Sequence, residues 1–424
     1  MHEAFLQWQR THPLSAHTPA TPMAFMRRAL EEASQGWFAA RPNPMVGCVL
    51  VDHQTQQILA VGHHVCYGQA HAEVQALAHL RQTRAHPYFQ YITAYVTLEP
   101  CPHHGRTPPC TEALIQAGIP RVVVAMRDPH PKVAGQGIQR LRDAGVAVEV
   151  LEDHPHPEAQ ALVTGAKTLN TAFLWSCQHQ KTYVALKIAQ SLDGAIATRQ
   201  GQSQWITGDI ARGWVHEMRG GFDAILSTAE TVLHDHAQLT VRTPLWDYAT
   251  QGGRPPIRVI LDRRFRLGQY IKQVIPTQKP LLVLDTHDAP TWLVVDARRL
   301  KDAPAQGVEA LQAQGVELIP IPFSEDTLAP TLGALFERGV HSLWVEAGGR
   351  LASALHHQQA VQDYYLTVGP KILGDPKGLI PAWHGTAEHL VREMSDASVL
   401  QFQAARALGQ DVLLHYQSNA TKRV

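Results

Sequence analysis

The sequence predicts an α/β protein built from two domains in one chain, and three observations carry that expectation. At 424 residues the chain exceeds the ~250–300 residues beyond which a single core usually splits. Short apolar runs of strand length alternate with helically spaced segments, the pattern of largely parallel sheets with helices on both faces. A short polar stretch, Gln178-His179-Gln180-Lys181, interrupts that alternation just before a new strand opens at Tyr183. The expected division is therefore a loosely ordered extension over 1–21, a first domain over 22–178 and a second over 181–424.

Each element follows from its local pattern. Apolar residues at helical spacing mark 23–40, and the apolar run 46–51 suits a buried strand with a hairpin partner at 58–61. A helix starts at His71 and runs through Val74, Leu77 and Leu80. Strand 92–98, helix 111–117, strand 122–125, helix 137–143 and strand 146–151 follow, then one helix over 158–177. The second half opens with strand 183–189 and an Asp193-Gly194 turn. Helix 209–218 and strands 223–226, 257–261, 281–284, 293–295, 316–321, 343–345, 364–368 and 412–416 complete it. Residues 374–400 carry no readable pattern.

Composition narrows the classes of function. With 45% hydrophobic and 17% charged residues and a net charge of +0, the chain has no global basic footprint, which argues against nucleic acid as partner. Five cysteines (Cys48, Cys66, Cys101, Cys110 and Cys177), an odd number, argue against a disulfide framework and for a reducing compartment. Residues 1–21 lack the apolar core of a signal peptide, and no apolar run approaches the ~20 residues needed to cross a bilayer. A cytoplasmic protein acting on a small molecule is expected, with no membrane association.

The chemistry centres on His71-Ala72-Glu73 and on Cys101 and Cys110 in Pro100-Cys101-Pro102-His103-His104-Gly105-Arg106-Thr107-Pro108-Pro109-Cys110. One imidazole and two thiolates give Zn²⁺ three protein ligands and leave one tetrahedral position for water, the arrangement of a catalytic rather than a structural zinc. Glu73, two residues from the ligand His71, is placed to move protons without binding the metal, as in zinc deaminases. A lone His or Cys is more often a packed core residue, and the chain has 25 histidines. The weight lies in the combination: HAE at a helix start, Pro-Cys after a strand, and a second Cys opening another helix. Eight residues separate the cysteines instead of the two of Cys-x-x-Cys. Cys48 and Cys66 read as buried thiols.

The run Thr97-Leu98-Glu99-Pro100-Cys101 through Cys110 resembles the deaminase half of the bifunctional riboflavin-biosynthesis deaminase/reductase family. So do Pro42-Asn43-Pro44-Met45-Val46-Gly47 and Asp128-Pro129-His130-Pro131-Lys132-Val133-Ala134-Gly135. The resemblance runs from about Pro22 to the C-terminus. It implies a cytidine-deaminase-like α/β/α first domain that deaminates a diaminopyrimidinone bearing ribosylamine 5-phosphate. Asn43, His64 and Arg106 become substrate-binding candidates. Asn43 has an equal reading as a turn residue between prolines, and Arg106 offers a charged fork for a phosphate beside the metal.

In the second half no Gly-x-Gly-x-x-Gly follows the first strand, so a Rossmann site is not indicated. Val345-Glu346-Ala347-Gly348-Gly349-Arg350-Leu351 runs a strand into a Gly-Gly turn and a helix, which lets backbone N–H groups approach a phosphate. In isolation a plain tight turn is the better reading. Lys187-Ile188-Ala189-Gln190-Ser191-Leu192-Asp193-Gly194, Ser203-Gln204-Trp205-Ile206-Thr207 and Leu239-Thr240-Val241-Arg242 are similar to the family's reductase half. That half is dihydrofolate-reductase-like and uses NADPH to reduce ribosyl to ribityl, so the resemblance implies Zn²⁺ and NADPH as cofactors. It assigns Ala189, Trp205, Thr231, Asp235, Gly348, Gly349, Arg350, Leu351, Ala352, Ser353 and Ala354 to the cofactor, and Ser203, Arg219, Leu239, Arg242 and Glu346 to the substrate. Two places depart from the pattern. Asp235-His236-Ala237 replaces Asp-Asp-Pro, and Arg263 and Arg264 stand where a small hydroxyl residue is common, which makes Arg263 a candidate for the 2′-phosphate of NADPH. The resemblance allows a homo-oligomer without fixing one. Two rivals remain: a nucleoside, nucleobase or tRNA-editing deaminase with an unrelated appended domain, and a zinc-stabilised scaffold without turnover. The first leaves the motifs of the second half unexplained, and the second leaves Glu73 without a purpose.

Overall fold

The computed structural model divides the chain into two compact units, Met1–His179 with Gln251–Gly253, and Gln180–Thr250 with Arg254–Val424. It describes residues 2–12, 21–83, 89–104, 108–130, 133–273, 281–323, 328–374, 380–381, 383 and 393–419. No described helix is long and apolar enough to cross a membrane.

The first unit runs α1 (His2–Thr11), α2 (Pro22–Ser34), β1 (Gly47–Asp52), β2 (Gln57–His63), α3 (Ala72–Thr83), β3 (Ile92–Val96), α4 (Cys110–Gln116), β4 (Arg121–Val124), α5 (Gln136–Asp143), β5 (Ala147–Val150), α6 (Pro157–Leu169) and α7 (Thr171–His179). Its sheet has the order β2-β1-β3-β4-β5. Only β3, β4 and β5 are mutually parallel; β1 is antiparallel to both its neighbours. The expected hairpin explains the difference, because the Asp52 carboxylate accepts from the N–H groups of Gln54 (2.8 Å) and Thr55 (3.2 Å) and folds the chain back. Leu50, Ala94, Val96, Val122 and Val124 from the strands pack with Ala76, Leu77 and Leu80 of α3, Leu114 of α4 and Leu141 of α5. Each such fully buried Val or Leu contributes roughly 1.5–3 kcal/mol. Gly47 lets α2 lie directly on β1: a Cβ there would stand 2.0 Å from Ala29 O.

Two expectations change in this unit. Residues 2–12 are ordered, because Phe5 (0% exposed) and Trp8 (7%) bury and Trp8 Nε1 donates to Ala161 O at 2.9 Å, fastening α1 to α6. The single helix over 158–177 is two. Asn170 separates them, and its side chain leaves the helix to accept from Met45 N (2.8 Å) and donate to Met45 O (2.9 Å).

The second unit runs β6 (Tyr183–Gln190), β7 (Ala195–Ala197), α8 (Asp209–Gly220), β8 (Ala224–Thr228), α9 (Ala229–Asp235), α10 (Tyr248–Gln251), β9 (Ile257–Leu261), α11 (Arg266–Gln273), β10 (Thr291–Asp296), α12 (Ala297–Lys301), α13 (Ala305–Ala313), β11 (Glu317–Ile321), α14 (Leu328–Glu337), β12 (Ser342–Glu346), α15 (Gly349–His357), β13 (Asp363–Val368), β14 (Ile380–Pro381), β15 (Gln401–Leu408) and β16 (Asp411–Gln417). The sheet order is β11-β10-β9-β8-β12-β6-β13-β16-β15. It is parallel from β11 to β13 and closes with the antiparallel pair β16 and β15. Val184, Leu186, Leu226, Leu343 and Val345 fill its centre. The expected strand over 281–284 is instead a 3-10 turn. Leu281, Val283 and Leu284 are buried and Leu282 is exposed, but the backbone carbonyls of Leu282, Asp285 and Ala289 accept from the fully buried Arg258 guanidinium rather than from a neighbouring strand. Strand β15 went unread because QFQAARAL lacks a period-two alternation.

Candidate active sites

In the first unit the ligands sit at the starts of helices. His71 immediately precedes α3, Glu73 is in its first turn, Cys101 follows β3 after a short loop and Cys110 opens α4. His71 Nδ1 lies 3.6 Å from Cys101 Sγ and 3.3 Å from Cys110 Sγ. All three donor atoms lie within 4.8 Å of one another. Tetrahedral zinc with ordinary Zn–S and Zn–N bonds places its sulfur and nitrogen ligands about 3.6 Å apart, so this cluster fits the metal. The hydrogen bond between the two thiols pulls Cys101 down to about 4 and pushes Cys110 up. Both must be thiolates to ligate, so cation binding releases protons.

Glu73 is 3% exposed, and burial first, then the Cys101 thiolate, raise its pKa. A carboxyl shifted upward holds a proton more readily than a free one, which suits a group that takes up and returns protons. A cavity of about 220 Å³ opens beside it, lined by Asn43, His64, Glu99, Asp128, His130 and Phe173, among others. His64 is buried and packs edge-on against the His71 ring, with centroids 5.0 Å apart. Burial and the neighbouring His71 lower it to about 4, so it is neutral. Its Nδ1 donates to Ala70 O (3.4 Å) and its Nε2 accepts from Asn43 Nδ2 (3.1 Å). Asn43 and His64 therefore form one hydrogen-bonded pair in the cavity wall. Arg106 lies outside the described residues, and Cys66 is half-buried rather than buried.

Three wall-forming residues had no reading as such in the sequence. The Glu99 carboxylate, 4% exposed, accepts from four backbone N–H groups: Asp128 (3.2 Å), Gly135 (3.0 Å), Gly137 (2.9 Å) and Ile138 (3.1 Å). It fastens the Asp128 loop and the start of α5 beside the cysteine loop. Gly137 permits that approach, since a Cβ would stand 1.9 Å from Pro100 O. Asp128 lines the cavity with its pKa raised by burial to about 6. Phe173 comes from α7, which the Asn170–Met45 bonds tie to the loop that carries Asn43. The signal for Asn170 was a single Asn interrupting an apolar helix, and only a partner 125 residues away gives it meaning.

In the second unit a cavity of about 660 Å³ opens at the C-terminal ends of β6, β8 and β12, where parallel sheets bind ligands. Of the expected contacts it brings together Ala189, Ser203, Trp205, Thr231, Asp235, Leu239, Arg242, Arg219, Glu346 and Gly348. Arg219 forms a fork on Glu346, with Nε to Oε1 at 2.6 Å and Nη2 to Oε2 at 2.8 Å, and Trp344 Nε1 adds 2.8 Å to Oε1. Burial pushes Glu346 upward, but the charge and hydrogen bonds of Arg219, the Lys187 charge and the Trp344 hydrogen bond together outweigh it and hold the carboxyl at about 2. Lys187, unread as a site residue, joins this group in the cavity, and burial lowers its pKa.

The altered loop keeps its place: Asp235, His236 and Ala237 line the cavity, Ser203 Oγ donates to Asp235 Oδ1 at 3.4 Å, and His236 takes φ +49°. Gly348 caps α15 at the cavity edge, and Gly349, Arg350 and Leu351 form the first turn of that helix, whose N–H groups have no partner within it. Ala352 and Ser353 are instead buried behind that turn, and Ala352 N is already bonded to Gly348 O. Neither these two nor Ala354 lines the cavity. Arg263 is also absent from the lining and stacks over the Phe323 ring at 5.7 Å. The cavity's size and the open first turn of α15 suit a dinucleotide's phosphate.

Comparison with known proteins accounts for both units. Residues 20–126 match the cytidine and deoxycytidylate deaminase zinc-binding region, and residues 182–414 match the RibD C-terminal domain. The riboflavin biosynthesis protein RibD of Haemophilus influenzae is 38% identical over 92% of this chain and 96% of its own length. That of Escherichia coli is 37% identical over 92% and 98%. The solved structure of Acinetobacter baumannii RibD, 32% identical, covers 93% of this chain and 98% of its own with a TM-score of 0.76. The Thermotoga maritima diaminohydroxyphosphoribosylaminopyrimidine deaminase/5-amino-6-(5-phosphoribosylamino)uracil reductase, 31% identical, covers the same shares with a TM-score of 0.73. A deaminase with an unrelated appended domain is not favoured, since the second unit matches in its own right. With a His/Cys/Cys cluster that fits zinc in one unit and a match to the RibD C-terminal domain over the other, the chain belongs to the bifunctional riboflavin-biosynthesis deaminase/reductase family.

Proposed function

We propose that the first unit deaminates a diaminopyrimidinone carrying ribosylamine 5-phosphate, and that the second reduces the ribosyl group of the product to ribityl. The buried Glu73 beside the His71, Cys101 and Cys110 donors is the observation that carries the first half. When bound there, zinc supplies a Lewis acid that makes water a nucleophile at neutral pH. Glu73 would take one proton of the attacking water and give it to the ring nitrogen, then take the second from the oxygen that becomes the product carbonyl and give it to the amine as ammonia leaves. Asn43 and His64, locked to one another, orient the pyrimidine, and Arg106 meets the phosphate.

In the second unit NADPH, when bound, supplies the hydride, so the chain's task there is to hold the sugar C1′ and the nicotinamide in contact. The first turn of α15, Trp205, Thr231 and Asp235 hold the cofactor. Glu346, fixed by Arg219 and facing Lys187, meets the sugar, and Arg242 meets the phosphate. Arg263 reaches the 2′-phosphate only by leaving Phe323; equal affinity for NADH and NADPH would remove it from the site. We place the reaction in the cytoplasm, on a small-molecule substrate and without nucleic acid.

The test is to incubate the protein with the diaminopyrimidinone substrate, with and without NADPH, and to follow ammonia and NADPH together. Ammonia without NADPH, then stoichiometric NADPH loss once it is added, is the expected result. Ammonia from cytidine or adenosine instead would overturn the substrate assignment.

A further inference from the structure

Loop 238–242 of the second unit is held by more hydrogen bonds than its expected substrate contacts explain, and one imidazole is common to several of them. His216, on α8 three residues before Arg219, lines the cavity. Its Nδ1 lies 3.0 Å from Thr240 O, and its Nε2 lies 3.2 Å from Arg242 Nη2. Nδ1 also faces two donors, Arg219 Nη1 (3.4 Å) and Arg242 N (3.2 Å), while the described partner of Nε2 is a donor, Arg242 Nη2. A neutral imidazole has one N–H and one lone pair. Placing the N–H on Nδ1 lets it donate to Thr240 O and lets Nε2 accept from Arg242 Nη2, at the expense of the contact from Arg242 N. Burial, then the charges of Arg219 and Arg242, hold the ring neutral, with its pKa lowered to about 4.

Two consequences of this arrangement are visible in the loop. Leu239 takes φ +53°, a left-handed conformation that a leucine keeps only when its surroundings fix it. The next carbonyl, Thr240 O, is held by both His216 and Arg219 Nη1 (2.8 Å). Arg242 Nη1 also donates to Gln238 Oε1 (2.8 Å) and Thr240 Oγ1 (2.7 Å), so three of its guanidinium N–H groups are committed to the protein. Of the five that an arginine carries, about two are left for a ligand, aimed as a fixed fork.

We propose that His216 is a positioning residue of the reductase, which by donating to Thr240 O and accepting from Arg242 sets the Arg242 fork for the substrate's phosphate. This rests on the reading of Arg242 as the phosphate contact. Protonation of His216 would place a second N–H against Arg242 Nη2, donor against donor, and release the fork. Among the charged groups facing the ring, the two arginines are permanent cations and Glu346 is held at about 2, so as the pH falls towards 4 the ring is the group that changes.

The test compares NADPH oxidation by the full chain and by His216→Ala, His216→Gln and Arg242→Ala, using the deaminated substrate and its dephosphorylated counterpart. His216→Ala is expected to raise KM for the phosphorylated substrate about tenfold, the loss of one charge-assisted hydrogen bond. Its kcat, its KM for NADPH and its KM for the dephosphorylated compound should move far less. His216→Gln, whose amide also offers one donor and one acceptor, should recover most of the affinity. It should also lose the rise in KM expected of the unaltered chain as the pH falls towards 4. The substrate phosphate itself titrates near ~6, and a rise that persists in His216→Gln would assign it to the substrate and overturn the pH part of the proposal. An unchanged KM in His216→Ala beside a raised one in Arg242→Ala would overturn the role of His216 alone. An unchanged KM in Arg242→Ala would overturn the phosphate reading and the proposal with it.

Discussion

Replacing Glu346 by Gln removes one charge from the buried group it forms with Arg219 and Lys187, and its size can be worked from the structure. Burial alone would lift this carboxyl above 4.5, yet Arg219 and then Lys187 hold it at about 2. That displacement corresponds to about 3 kcal/mol at 1.36 kcal/mol per pKa unit. The side chain is only 17% exposed, so solvent screens little of it. Because the folded pKa is depressed, the contribution is complete above about pH 4.5 and is lost as pH falls towards 2. At neutral pH Glu346→Gln forfeits it and leaves Arg219 and Lys187 as neighbouring cations without a counter-ion, a change of the kind that costs about 3–5 kcal/mol. The urea midpoint of the second unit should fall accordingly. NADPH oxidation should fall as well, since Glu346 is the group proposed to meet the sugar. Ammonia release by the first unit, measured on the same protein, serves as the internal control and should hold. Glu346→Asp, which keeps the charge, should recover part of the loss. A reductase within threefold of the unaltered chain, with an unshifted midpoint, would refute the reasoning.

Glu73→Gln should cut ammonia release by about 10²–10⁴-fold, the usual share of a general acid–base group, with zinc content unchanged; retained activity would move proton transfer elsewhere. Removing the metal with a chelator, or substituting Cys110→Ser, should abolish ammonia release while NADPH oxidation with deaminated substrate persists, and loss of both would show that zinc also supports the second unit. The chelator should act faster as pH falls, since protons compete for both thiolates and for His71. Asn170→Ala leaves Met45 N and O without their buried partner, so it should destabilise the first unit by about 2–3 kcal/mol and raise the deaminase KM. Asn170→Asp keeps the acceptor for Met45 N and should lie between.

The sequence disclosed most where chemistry is written in contiguous residues. His71, Glu73, Cys101 and Cys110 were legible because each sits at an element boundary that local pattern also marks, and the structure brings the three ligands within 4.8 Å. The strands of both sheets were legible from apolar runs except β15, which lacks one, and the 281–284 segment was a turn instead, where Arg258 supplies the hydrogen bonds that a neighbouring strand would have given. Long-range partners were not legible. Asn170 looked like one polar residue in a helix, His216 like one of 25 histidines, and Lys187 like part of a motif. Helix α1 was missed because ten residues with two aromatic anchors carry too little pattern to announce a docking surface.

The clasp between Asn170 and Met45 also sets an order of assembly during synthesis. The metal donors are all in hand once residue 110 has been made, and the residues matching the zinc-binding region end at 126. Asn170, which holds the loop carrying Asn43, follows 60 residues after Cys110 (170 − 110), and Phe173, which lines the cavity, comes three residues later. At ribosomal rates of about 5–20 residues per second, that interval is roughly 3–12 s. The donors for the metal thus emerge from the ribosome before the residues that shape a place for the pyrimidine.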